Sequence, residues 1–310
     1  MLDANASFTL VVPCSTSNLG AGFDALGIAL GGPDLLVRFT PGGAGLRIAR
    51  LSGEGAQTLP KDPSNRIIVA ARASAVASGL DPDALHGSLE VHSAIPLKRG
   101  LGSSAAAAVA GALLAEQLRG DGVDLDRVIA TAVALEGHPD NVLPCVRGGV
   151  QVAVTREDGR VVSCGVKVAV PLRAAIFIPD VELATEAARA VLPKTVSLKD
   201  AVFNLGRSAL FVAALTEGDY PLLAEAMEDK LHQSARGTLL PWLAGTLVAA
   251  RGAGAHGASL SGAGSTVIAL CAPESVREVA AAMKAYALAQ GVTGRAETVD
   301  VGVPGARVRA

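Results

Sequence analysis

Residues 96–118, PLKRGLGSSAAAAVAGALLAEQL, set glycines, serines and two cations directly in front of a long alanine-rich run. Alanine is the best helix former and glycine among the poorest, so a helix begins near Ser103 and a flexible turn precedes it. A helix N-terminus leaves its first N–H groups unpaired and carries roughly half a positive charge. Glycines let the backbone take positive φ and come close to a ligand. Gly100, Gly102, Ser103 and Ser104 therefore form a ready anion site, with phosphate the commonest guest, and Lys98 and Arg99 add charge that helps only an anion. An ordinary strand–turn–helix connection with Ser103 as N-cap would use the same residues. The spacing is neither G-x-x-x-x-G-K-[ST] nor G-x-G-x-x-G, so a nucleotide held here is held outside the P-loop and Rossmann architectures.

Two further clusters share this character: PCSTSNLGAGFDALGIAL (13–30), after a first strand, and ASLSGAGSTVIAL (258–270), between two strand-like runs. Each sets small polar residues and close glycines before an apolar run, and the three together point to loops converging on one polyanionic ligand. Around them, strands are expected at 7–13, 35–40, 87–96, 173–179 and 295–301, with glycine-rich stretches near 42–55. Helices are expected at 65–80, 103–118, 124–137 with Asp124 as N-cap, 184–192, 199–215, 220–230 and 274–290. Residues 148–166 read as a hairpin turning at Asp158-Gly159, and 255–273 as a strand–turn–strand. Without regular βαβ alternation, this mixture predicts an α+β fold of two two-layer domains, residues 1–166 and 167–310.

Bulk properties exclude whole classes. Half of the 310 residues are hydrophobic and 18% charged, which is the composition of a folded globular chain. Aromatics are only 3%, so alanine, valine and leucine must build the core by close helix–sheet packing. Twenty-seven Lys and Arg against 29 Asp and Glu leave no basic excess, which argues against nucleic acid. Cys14, Cys145, Cys164 and Cys271 lack metal spacing and read as reduced, buried thiols of a cytoplasmic protein. The N-terminal stretch MLDANASFTLVVP has no cationic start and no long apolar run, so it does not read as a signal peptide. Apolar runs are interrupted well before the ~18 residues a membrane span needs. His86, His92, His232 and His256 show no spacing pattern and read as structural.

The stretch P-x-x-x-G-L-G-S-S-A at Pro96–Ala105 resembles the second motif of the GHMP small-molecule kinases, and the other two clusters resemble motifs one and three in order. NLGAGFDALG near the start and EGHPDNV at 136–142 most resemble the branch of that family that acts on homoserine. The resemblance implies a ribosomal protein S5 domain 2-like N-terminal domain with the ATP loop and a ferredoxin-like C-terminal domain that contributes to the substrate site. The implied reaction, in threonine biosynthesis, passes the γ-phosphoryl of ATP to the hydroxyl of L-homoserine and gives O-phospho-L-homoserine.

The implied ATP contacts are Asn65, Pro96, Lys98, Arg99, Gly100, Leu101, Gly102, Ser103, Ser104, Ala105 and Ala106, with Glu136 and Ser104 holding Mg²⁺. Asn18, Asp24, His138, Thr185, Arg189, Arg236 and Gly262 match the substrate positions. Arginine suits the carboxylate because its planar fork binds bidentately, and Asp24 suits the ammonium. Asp140 and Asn141 stand where related kinases carry a catalytic aspartate, and with Ser103 they form the implied catalytic set. Asp140-Asn141 is expected to support or orient the site while phosphate stabilisation does most of the catalysis. The family also implies a homodimer, although no apolar stripe in the sequence argues it. Ser265 stands where relatives commonly carry proline, which implies a less rigid third loop. A mevalonate- or sugar-type kinase would waste an Asp24 aimed at an amine. A non-catalytic ATP or amino-acid sensor has no need of Glu136 beside the phosphate loop.

Overall fold

The computed structural model describes residues 6–309; residues 1–5, part of the N-terminal stretch read above as no signal peptide, and residue 310 lie outside it. The chain opens with a hairpin of two long strands, β1 (Phe8–Asn18) and β2 (Gly22–Thr40). The first glycine cluster is therefore not a loop after a short strand but the distal half of this hairpin, turned at residues 19–21. Its small side chains allow that: Cys14–Asn18 is buried throughout, and the ladder to β2 pairs its buried backbone.

β2 is the spine of the sheet. One edge pairs with β1 from Phe8↔Phe39 to Asn18↔Gly22. The other edge pairs in turn with β5 (Val150–Thr155), β10 (Gly294–Val301) and β4 (Gly87–Ser93). β3 (Leu46–Gly53), inside the stretch read only as glycine-rich, runs parallel to β4, and β6 (Val161–Val166) completes the expected hairpin with β5. Beyond β10 follow β7 (Arg173–Pro179), β9 (Val267–Cys271) and β8 (Gly257–Leu260), while β11 (Arg307–Arg309) closes the far edge on β1. Residues 166 and 167, the expected domain division, fall at the end of β6.

The helices are α1 (Arg66–Ala77), α2 (Ser103–Arg119), α3 (Leu125–Glu136) and α4 (Val142–Arg147), then α5 (Thr185–Ala190), α6 (Leu198–Glu217), α7 (Leu223–Ala226), α8 (Gln233–Gly237), α9 (Leu243–Gly252) and α10 (Val276–Ala289). α4, α8 and α9 are not among the expected helices, and the expected helix at 220–230 is broken after Ala226. The reason is Asp229, whose carboxylate caps the N–H groups of Leu231, His232 and Gln233 and so starts α8 instead.

The fold is α+β, with two hydrophobic cores. In the larger, α2 packs on β1 and β2 while α1 and α3 lie against α2. Alanines make this possible: Ala105, Ala106, Ala108, Ala110 and Ala112 are all buried, and a Cβ on Gly111 would stand 2.1 Å from the Ile67 carbonyl oxygen. The second core joins α9 and α10 to β7–β9, with Trp242 edge-on to Phe177 at 5.9 Å, a contact worth about 0.5–1.5 kcal/mol beyond burial.

Two expectations fail on the surface. Cys164 is exposed, because β6 pairs only with β5 and turns that side chain to solvent. α6 does carry an exposed apolar stripe, Leu198, Val202 and Leu205, at i, i+4, i+7 spacing. No helix among the described residues is long and apolar enough to cross a membrane.

Candidate active site

The three glycine clusters meet, and their own polar groups lock them together. Ser15 N–H donates to the Leu101 carbonyl (3.2 Å), and Thr266 N–H to that of Arg99 (3.2 Å). Gly262 N–H donates to the Ser17 carbonyl (3.0 Å), and Asn18 Nδ2 donates to the Gly262 carbonyl (2.8 Å). Ser261 Oγ donates to the Gly100 carbonyl at 2.7 Å and lies 2.8 Å from Thr16 Oγ1. Close approach dictates glycine here. A Cβ on Gly100 would stand 2.0 Å from the Ser261 carbonyl oxygen, and one on Gly102 would stand 2.2 Å from Ser15 Oγ. Both glycines also have φ near +70°. Ser265, expected to loosen the third loop, is fully buried with its hydroxyl on the Val181 carbonyl, which fastens the loop to the end of β7.

A cavity of about 400 Å³ lies at this junction. At one end the first turn of α2, Ser103–Ala105, presents N–H groups that a helix start leaves unpaired. The serines do not cap the helix: Gly102, in the left-handed region, takes the N-cap position without a side-chain bond. Ser104 Oγ instead donates to Glu136 Oε1 at 2.7 Å. Glu136 also pairs with Arg66 Nη2, which in addition donates to the Leu135 carbonyl at 2.7 Å. A second, mostly apolar cavity of about 320 Å³ shares Arg66, Lys98, Ser103 and Ser104 with the first and is lined elsewhere by residues such as Leu51, Leu59, Ile67 and Leu97.

The other end is crowded with charge. One ligating atom each of Asp24, His138 and Asp140 lies within 4.8 Å of the others. Asp24 accepts from both Nη atoms of Arg189, at 2.8 and 3.1 Å, and this bidentate bond raises the Arg189 pKa. His138 Nδ1 lies 2.5 Å from Asp140 Oδ1. Burial works against a charged His138, but the bond to Asp140 and its negative charge outweigh that and hold its pKa above the ordinary value. Asp140 Oδ1 also accepts from Asn141 N–H (2.9 Å), and Asn141 donates from Nδ2 to Ser17 Oγ (2.8 Å) and accepts at Oδ1 from Ser15 Oγ (2.9 Å). Arg236 is 1% exposed, and burial, then the nearby Arg189, push its pKa down to about 10.

The backbone is strained where these groups sit. Among the described residues the non-glycine positions with positive φ are Asn18, Leu19, Asp24 and Lys98, and three of the four line the cavity.

Every residue expected at the substrate end, Asn18, Asp24, His138, Thr185, Arg189, Arg236 and Gly262, borders this one cavity, as do Asp140, Asn141 and Glu136. Of the expected ATP contacts, Pro96 and residues 98–105 border it as well. Two others lie elsewhere. Asn65 caps α1 by accepting from Ile67 N–H and borders the second cavity, while Ala106 is fully buried and borders neither. Arg99 reaches the cavity edge but spends its guanidinium on the carbonyls of Pro179, Leu97 and Asp180. Gly262 has both backbone groups in use, its carbonyl accepting from Arg236 Nη1 as well as from Asn18. Sequence reasoning missed Ser17 and Arg66; the position of Arg66 directly after the cap Asn65 was the available signal.

The profile of the GHMP kinases N terminal domain matches residues 65–149, and that of the GHMP kinases C terminal matches residues 211–288. The chain belongs to the GHMP kinase family. It is 38% identical to the homoserine kinase of Desulfitobacterium hafniense, over 96% of this chain and 98% of that one. It is 42% identical to the homoserine kinase of Moorella thermoacetica, over 84% and 86%. Among solved structures, the homoserine kinase of Cytophaga hutchinsonii superposes with a TM-score of 0.87 at 30% identity, covering 99% of this chain and 98% of that one. The L. major mevalonate kinase, at 16% identity and a TM-score of 0.71 over 98% of each chain, shares the fold.

Proposed function

We propose that this chain transfers the γ-phosphoryl group of ATP to the hydroxyl of L-homoserine, giving O-phospho-L-homoserine and ADP. The observation that carries this reading is the division of one cavity, with a helix N-terminus and glycine turn at one end and paired acidic and basic side chains at the other. The first end suits phosphates and the second suits an amino acid. The relatives named homoserine kinase supply the particular acceptor.

In this reading residues 1–166 provide the phosphate loop and residues 167–310 provide Arg189 and Arg236. Phosphates lie against the N–H groups of Gly100–Ala105, and the base occupies the apolar second cavity. Ser104 and Glu136 are hard oxygen donors already within hydrogen-bond distance, a set that fits Mg²⁺. When bound there, the ion neutralises charge on the phosphate oxygens during transfer. Among the described residues Arg236 Nη2 has no protein partner and serves the substrate carboxylate. The ammonium goes to Asp24 and the carboxylate to Arg189 and Arg236. A zwitterion thus exchanges like for like with the Asp24–Arg189 pair and leaves neither partner uncompensated, which a simple alcohol cannot do.

The hydroxyl oxygen bonds to the γ-phosphorus as the bond to the β-phosphate oxygen breaks, and the hydroxyl proton leaves to solvent. In this reading Asp140 orients His138 and Asn141, both of which bond its Oδ1, and stabilisation of the phosphoryl group does most of the catalysis. The test is ADP release with Mg-ATP and L-homoserine, D-homoserine, L-serine, mevalonate or galactose. Turnover confined to L-homoserine supports the reading, and turnover with another alcohol alone removes it.

A further inference from the structure

Arg236 heads the fully buried side chains by size, and a buried guanidinium must have its donors accounted for. Nε donates to the Ala188 carbonyl at 3.3 Å, and Nη1 donates to the Gly262 carbonyl at 3.0 Å. Nη1 also lies 3.1 Å from Nδ1 of His232, a residue that the sequence alone marked as structural. A guanidinium has no acceptor, so Nδ1 of His232 must be the acceptor and carries no proton. Across the ring both neighbours are acceptors: Nε2 lies 2.8 Å from the Gly20 carbonyl and 3.7 Å from Asp229 Oδ2. The proton is therefore on Nε2 and the ring is neutral, because a second proton on Nδ1 would set N–H against N–H.

The ring itself cannot drift. It is fully buried and stacks on Phe23, with centroids 5.1 Å apart, and the guanidinium carbons of Arg236 and Arg189 lie 5.3 and 5.6 Å from that same Phe23 ring. Asp229 also accepts from Asn204 Nδ2 and from three backbone N–H groups, which anchors the turn that carries His232. The charged groups facing the imidazole are Asp229 and Arg236 on its own segment and Asp24 from the β1–β2 hairpin. Burial leads these influences, and the His232 pKa falls below the ordinary value.

We propose that His232 is a positioning residue for the acceptor substrate: as a neutral hydrogen-bond acceptor it holds Nη1 of Arg236, so that Nη2 faces the cavity as donor to the substrate carboxylate. This rests on the functional reading above and specifies how its carboxylate site is aimed. His232 touches no substrate. Its effect is on the affinity for L-homoserine, with the nucleotide end untouched.

The test compares His232→Asn with His232→Gln in the full-length enzyme. The Asn Oδ1 can take the place of Nδ1 and accept from Arg236, whereas the Gln amide reaches the place of Nε2 and keeps only the bond to Gly20. Both lose the stack on Phe23 equally. Loss of a charge-assisted bond predicts that Gln raises KM for L-homoserine roughly tenfold or more, with kcat and KM for ATP within about twofold. Asn is expected to hold KM for L-homoserine within about threefold of wild type. Equal KM values for the two variants would overturn the proposal, as would a KM for ATP that rises with that for homoserine. Wild-type turnover of L-homoserine is read first, so failure of the functional reading is seen separately. Should either variant not fold, ¹⁵N spectra of the histidine-labelled wild type decide: one buried ring must stay in the Nε2–H tautomer across neutral pH. A cationic or Nδ1–H ring there contradicts the proposal.

Discussion

Arg189 grips both carboxylate oxygens of Asp24, at 2.8 and 3.1 Å, across 165 residues of sequence. The pair joins the β1–β2 hairpin to α5 and fixes the charge pattern of the substrate end. It is about one-third exposed on each side, so its worth to folding is small, on the order of 0–1 kcal/mol. In the proposed reading Asp24 takes the substrate ammonium, so Asp24→Asn should raise KM for L-homoserine roughly 10- to 100-fold while KM for ATP stays within about twofold. Steady-state kinetics with each substrate varied separately check this.

Gly100→Ala should disable the phosphate end. The added Cβ meets a backbone oxygen at 2.0 Å, in a residue with φ of +72°, so neither rotamer change nor side-chain movement relieves it. Destabilisation of roughly 1–3 kcal/mol is expected, together with a higher KM for ATP. Thermal unfolding and nucleotide titration read the two effects.

Asp140→Asn keeps the shape of a side chain that bonds His138 and Asn141. If the carboxylate only orients these neighbours, kcat should fall by less than about tenfold, against the 10²- to 10⁴-fold loss typical for a missing general base. Single-turnover phosphoryl transfer with saturating substrates distinguishes the two.

The pH dependence of stability follows from His138, whose folded-state pKa is raised above its unfolded value by Asp140. Its contribution is fully present below the ordinary histidine pKa of about 6.5 and is lost as pH rises through the higher folded value. The Tm difference between wild type and His138→Gln should therefore shrink as pH increases above that range. A difference that is constant with pH would detach His138 from Asp140.

Much of this was legible from local sequence, and the exceptions have physical causes. The start of α2, the Asp124 cap on α3 and the β5–β6 hairpin follow from propensity, capping and turn chemistry, which act over a few residues. Asn18, Asp24, His138, Arg189 and Arg236 were named through family motifs, and the cavity gathers all of them. What local sequence could not carry is long-range pairing. Nothing near 294–301 announces that β10 lies between β2 and β7, and nothing in CSTSN announces a buried strand. His232, read as structural, is fully buried; Asp229 and Arg236 lie three and four residues away on its own segment, whereas the Gly20 carbonyl reaches it only when the hairpin folds over α8.

The measurement closest to the central claim is ³¹P NMR of the reaction mixture containing purified protein, Mg-ATP and L-homoserine. The account predicts a new phosphomonoester signal that matches O-phospho-L-homoserine and grows in equal amount with ADP. Growth of inorganic phosphate in its place, or no consumption of ATP while L-homoserine and ATP both bind, would contradict it.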